Sequence, residues 1–314
     1  MMLPALLGSC KSENENNDNK PVMKDPERGV EFADPFIMYD NGKYYAYGTM
    51  ADNGIAVYTS DDLKYWEPAG MALHKDNSYA DRWFWAPEIY KVGDRYLMYY
   101  SADEHICVAE ATKSIGPFKQ QTMRPMLDEK CIDNSLFIDS DGTPYLYFDR
   151  FVDGLSVHVA KLSDDLLTID PTTITRCIGQ SQDWERMDGS VNEGSFVMKH
   201  GDKYYLTYSG NGYTSPNYGL GVAIADSPMG PWTKYEGNPI FQFPQTKEYG
   251  RLDGVGHSAM FTDKDGNLRI VFHAHKKPGT VHPREMYIST VSFTDDAVPL
   301  MQISSSDIIK CALK

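Results

Sequence analysis

The sequence predicts an all-β protein built as a five-bladed β-propeller, on three observations. A pattern of polar or aromatic residue, apolar strand, tight turn and aromatic strand recurs five times. The repeats start 51, 48, 60 and 64 residues apart, room for about four strands each. No long amphipathic helical period interrupts them.

The segments begin Asp34-Pro-Phe-Ile-Met-Tyr, Trp85-Ala-Pro-Glu-Ile-Tyr, Asp133-Asn-Ser-Leu-Phe-Ile, Glu193-Gly-Ser-Phe-Val-Met and His257-Ser-Ala-Met-Phe-Thr. Each runs into a turn pair: Asn41-Gly42, Gly93-Asp94, Asp141-Gly142, Gly201-Asp202 and Asp265-Gly266. Such pairs favour the positive backbone torsions of hairpin turns. The leading residues lie 8 or 9 positions before the turn glycine, so Asp34, Trp85, Asp133, Glu193 and His257 are predicted to be equivalent. Weaker patterns such as Gly54-Ile-Ala-Val-Tyr-Thr-Ser and Gly221-Val-Ala-Ile-Ala supply the outer strands. The propeller is expected over residues 30–314, with Val22 to Phe32 returning to complete the last blade. A β-sandwich or solenoid would also use such strands, but five units sharing one polar position fit a ring better.

Composition narrows the function. The formal charge of −14 argues against nucleic acid as a partner and favours a neutral over an acidic polymer. Aromatics make up 12% of the chain, with 21 tyrosines, which suits strands and polar-edged pockets. No run of about 18 apolar residues exists to form a membrane-spanning helix. Residues 1–29 read as a signal remnant and flexible tether: apolar Met1 to Leu7, the lipobox-like Leu7-Gly8-Ser9-Cys10, then a polar stretch to Lys20. The expectation is an exported lipoprotein anchored through Cys10 in the outer membrane of a Gram-negative cell. Cys107, Cys131, Cys177 and Cys311 show no paired CxxC spacing, which argues against a zinc or redox motif.

The first strand of a propeller blade lines the central axis, so equivalent positions converge on one mouth. Carboxylates, normally depleted in strands, occupy three of the five slots. Each alone has a structural explanation: Asp34 precedes Pro35, Asp133 would bond its own turn, and Glu193 would cap one. Gathered near one axis they repel, and a fold keeps such repulsion where the site uses it. Asp263-Lys-Asp-Gly and Asp139-Ser-Asp-Gly resemble pieces of a calcium loop, but the twelfth positions are Ala274 and Arg150 rather than Glu, so both read as turns.

Ala33-Asp34-Pro35-Phe36, Trp85-Ala86-Pro87-Glu88, Ile132-Asp133-Asn134-Ser135, Asn192-Glu193-Gly194 and Gly256-His257-Ser258 resemble, in order, the motifs of glycoside hydrolase family 43. The resemblance implies an inverting hydrolase in which Asp34 is the base, Glu193 the acid, and Asp133 orients the acid and raises its pKa. It implies that Trp85, extended by Phe84 and Trp83, offers a flat face to a sugar, and that Arg284 bonds sugar hydroxyls. It implies a His257 linked through waters to a calcium ion, with His273 and His275 nearby; no cofactor is required for the chemistry. The expected substrates are arabinose- or xylose-containing oligo- and polysaccharides. α-L-Arabinofuranosidase activity is favoured over β-xylosidase or endo-arabinanase, and a non-catalytic sugar-binding propeller is the remote alternative. A retaining fructan enzyme is disfavoured, because the chain reads Ala33-Asp34-Pro35-Phe36-Ile37 where that pattern is Asn-Asp-Pro-Asn-Gly. The segment Gly210 to Gly219, with Tyr213, Pro216 and Tyr218, is expected to form one rim of the site.

Overall fold

The computed structural model describes residues 28–49 and 52–314. The expected lipobox at Cys10 and most of the tether lie outside them. Five antiparallel meanders follow one another along the chain. Their inner strands are Ala33–Asp40, Trp85–Val92, Cys131–Ile138, Asn192–His200 and Gly256–Thr262. Their second strands are Lys43–Thr49, Arg95–Ala102, Pro144–Phe151, Lys203–Gly210 and Leu268–Lys277. Helix is confined, among the described residues, to three short 3-10 turns. The expected five-bladed propeller is the fold observed.

Apolar clusters fill the spaces between neighbouring blades. Tyrosine serves there because its ring buries while its hydroxyl finds an acceptor. Tyr99 donates to the Leu166 carbonyl (2.7 Å), Tyr147 to Pro228 (2.6 Å) and Tyr205 to Pro299 (2.6 Å), each on the far side of a blade boundary. Both chain ends seal the ring. Val30 N–H bonds the Cys311 carbonyl, Met286 N–H bonds the Val30 carbonyl, and Ala312–Leu313 runs parallel to the outer strand of the first blade. Arg28 also takes part through its carbonyl, which accepts from Leu313.

Every inner strand carries a β-bulge near its start, between Ala33 and Phe36, Trp85 and Glu88, Ile132 and Ser135, Glu193 and Phe196, and Gly256 and Ala259. The first bulged residue has positive φ in all five: Asp34, Ala86, Asp133, Gly194 and His257. This corrects the expected equivalence by one residue in two blades. Trp85 and Glu193 match Ala33, Ile132 and Gly256 instead. The cause is the turn chemistry: Asn41-Gly42 puts its glycine second, whereas Gly93-Asp94 and Gly201-Asp202 put it first. Counting from glycine therefore slips one place.

A bulge leaves an amide without a ladder partner, and a buried amide must find another acceptor. Here each is taken up by a side chain of the preceding blade. Ala86 N–H donates to Thr49 Oγ1 (2.9 Å), Asp133 to Ser101 Oγ (3.1 Å), Gly194 to Asp149 Oδ2 (2.8 Å) and His257 to Ser209 Oγ (2.7 Å). Asp34 N–H closes the circle on His273 Nδ1 of the fifth blade (3.1 Å). Each such bond contributes about 1 kcal/mol net and costs more than that if its acceptor is removed.

Candidate active site

A cavity of about 210 Å³ opens on the axis at the bulges, lined by Asp34, Thr49, Trp85, Ile132, Asp133, Glu193, Tyr213, His257 and Arg284. That is the volume of about seven waters, the scale of a single sugar ring. Both the bulged residue and the one before it reach this space, so the slip in equivalence leaves the convergence intact.

Asp34 is the most strongly paired carboxylate. Its Oδ1 takes Arg284 Nη1 at 3.1 Å and His257 Nδ1 at 3.2 Å. Burial pushes its pKa up, but Arg284, His257 and His273 together hold it well below the usual carboxylate range. His257 Nδ1 also lies 3.9 Å from Asp133 Oδ2, so the ring bridges two of the three carboxyls. Gly194 makes room for it, since a Cβ there would sit 2.9 Å from the imidazole Cγ. His273 accepts the Asp34 amide, while His275 Nε2 bonds the Tyr213 carbonyl (2.8 Å) and fixes the rim.

Glu193 has the opposite environment. Burial raises its pKa to about 7; the charge of Asp34 adds to the rise, while the Tyr218 hydroxyl and Arg284 oppose it. Tyr218 donates to Glu193 Oε1 at 2.7 Å. The tyrosine fits because residue 256 is glycine, where a Cβ would lie 2.1 Å from the ring. Asp133 and Glu193 also repel each other. Asp133 is itself pushed well up, by burial and then by Asp149, Glu193 and Asp34. One carboxyl is thus held ionised and another held protonated near neutrality within one cavity, which is the division of labour that acid–base chemistry requires.

The aromatic wall differs from expectation. Trp85 lines the cavity, and Trp83, 45% exposed, stacks on it at 5.9 Å. Phe84 is only 2% exposed and packs against Tyr100 in the core, so it is not a substrate contact. The chain turns at Trp83, which has positive φ, so Phe84 enters the core while Trp83 and Trp85 stack outside it. Arg284 stands in the cavity with its guanidinium over Tyr213 (4.5 Å), and its buried Nε has no partner in the protein. Tyr213 bears out the rim expected from the Gly210 to Gly219 segment.

Residues 25–299 match the model of glycosyl hydrolases family 43. The chain belongs to that family. Its members are glycosidases. Alpha-L-arabinofuranosidase B of Pyricularia oryzae is 28% identical over 78% of this chain, which spans 54% of that protein's length. The extracellular exo-alpha-(1->5)-L-arabinofuranosidase ArbA of Cellvibrio japonicus is 25% identical over 79% of this chain and 80% of its own. Among solved structures, one described as an endo-1,4-beta-xylanase from Bacteroides thetaiotaomicron is 44% identical, with a TM-score of 0.86 over 91% of this chain and 98% of its own.

Sequence reasoning missed Thr49, Tyr218 as the partner of Glu193, and Asp149. Only Asp149 left a signal, a carboxylate at the end of the apolar run Tyr145-Leu-Tyr-Phe. Among the described residues no three His, Cys, Asp or Glu groups gather to hold a metal. Buried polar atoms of Asn134, Ser195 and Ser258 do lack protein partners. These three are the second bulged residues of adjacent blades, at one level around the axis beside His257.

Proposed function

We propose that the protein is an inverting exo-glycosidase that removes a terminal pentose, with α-L-arabinofuranosyl favoured, from neutral plant oligo- or polysaccharide. The observation that carries the proposal is the pairing of an ionised Asp34 with a Glu193 whose pKa is about 7, in a cavity sized for one ring. Asp34 takes a proton from water as its oxygen attacks the anomeric carbon. Glu193 gives its proton to the leaving oxygen as the glycosidic bond breaks. The product keeps the new C–O bond with inverted configuration, and the two carboxyls reset by exchange with solvent. An inverting pair stands roughly 6.5–9.5 Å apart to admit the water, a separation that residues on different blades can supply. Arg284 holds Asp34 ionised, and its guanidinium lines the cavity where a sugar hydroxyl would lie.

A panel of aryl α-L-arabinofuranoside, aryl β-xyloside and linear arabinan, with the product anomer followed by NMR, tests this. The expected result is fastest turnover of the arabinofuranoside with inversion; retention of configuration refutes the mechanism. The second reading is a β-xyloside substrate, favoured by the 44% identical Bacteroides protein and its description.

The orphaned polar groups of Asn134, Ser195 and Ser258 fit a hydrated cation, such as calcium, held through waters beneath His257. Such an ion would support the floor of the cavity by charge alone. Chelation is expected to lower Tm by several degrees and slow turnover, with recovery on calcium addition. An unchanged melting curve in metal-free protein refutes the site. The Leu7-Gly8-Ser9-Cys10 sequence supports export and lipid anchoring at Cys10.

A further inference from the structure

The girdle of bulge amides uses neutral acceptors in four blades: Thr49, Ser101, Ser209 and a His273 that burial keeps uncharged. The exception is Asp149, and it lies between two functional carboxyls. It is fully buried on the second strand of the third blade, in register with Ile132 beside Asp133. Its Oδ2 accepts from Gly194, the residue after Glu193. Its Oδ1 is buried and has no donor. The carboxyl is also within hydrogen-bonding reach of Asp133.

We propose that Asp149 is a positioning residue for the acid, clamping the amide behind Glu193 from outside the cavity. The inference rests on the glycosidase reading above. The Asp149 carboxylate holds the Gly194 amide at 2.8 Å, so the side chain fixes the backbone that aims Glu193. It does so from the neighbouring blade, fully buried, where nothing but the fold itself sets its position.

Two variants test this role. Asp149→Asn keeps an acceptor for Gly194 and is the conservative control. It is expected to keep the wild-type ratio of alkyl to activated aryl glycoside turnover. Asp149→Val removes the clamp at similar volume. It is expected to lose about tenfold more kcat on alkyl glycosides, which need the acid, than on activated aryl glycosides, which do not. An Asp149→Asn variant with the same selective loss as Asp149→Val overturns the clamp, because the retained acceptor would then have no effect. Equal losses on both substrate types in Asp149→Val overturn the positioning role, since a general packing defect would produce them. Should Asp149→Val fail to fold, Asp149→Ser, the residue type used at Ser101 and Ser209, replaces Asp149→Asn as the clamped control, with Asp149→Ala as the unclamped variant. A wild type inactive on every glycoside defeats the functional reading; an active wild type with unaffected variants defeats only this inference.

Discussion

Asp34→Asn is expected to lower turnover on the order of 10³-fold on every substrate, activated aryl glycosides included, while the circular dichroism spectrum stays that of the parent. The base acts on water, so the quality of the leaving group gives no rescue. The amide still accepts from Arg284 and His257, which touch Asp34 Oδ1 at 3.1 and 3.2 Å, so the cavity keeps its shape. A variant retaining more than a tenth of wild-type kcat removes Asp34 from the mechanism.

Glu193→Gln is expected to be selective in two respects. Turnover of alkyl glycosides falls by about 10²–10⁴-fold, whereas aryl glycosides with good leaving groups lose far less. The wild-type kcat/KM declines as pH rises through about 7, the pKa to which burial lifts Glu193, and the residual activity of the variant lacks that limb. Stability moves in the opposite sense. A carboxyl whose folded pKa is raised from 4.5 to about 7 favours the folded state below 4.5, and that contribution is lost between 4.5 and 7. Glutamine has no such loss, so the variant is expected to be more stable than wild type at pH 8 by up to about 3 kcal/mol, with little difference at pH 4. Calorimetry at the two pH values decides it; a variant less stable at pH 8 contradicts the burial argument.

Much of this was readable in advance because hairpin turns and bulge residues have narrow chemical requirements. Asn41-Gly42 and Gly201-Asp202 announce hairpins whatever surrounds them. Asp and His at residues 34, 133 and 257 tolerate the positive φ that the bulge imposes, so function and backbone geometry select the same residue types. The one-residue slip at Trp85 and Glu193 arose because Gly93 and Gly201 are the first rather than the second turn residue. Phe84 was misplaced because a run of three aromatics hides which face each takes. Tyr218 and Asp149 escaped for another reason. Their roles come from a neighbouring blade's strand, and strand order alone does not tell which residue of one blade meets which of the next. The girdle of side chains on bulge amides is invisible for the same reason.

That girdle closes between the first and fifth blades, and so does the cluster around Asp34. Asp34 meets His273 and Arg284 across 239 and 250 residues of sequence. The surroundings of Asp34 are therefore complete only in a molecule whose two ends have found each other. A protein opened at the Val30–Cys311 seam would keep four intact blades and much of its secondary structure yet hydrolyse nothing. Enzymatic turnover is in this sense a gauge of circular integrity, more sensitive than any spectroscopic measure of strand content.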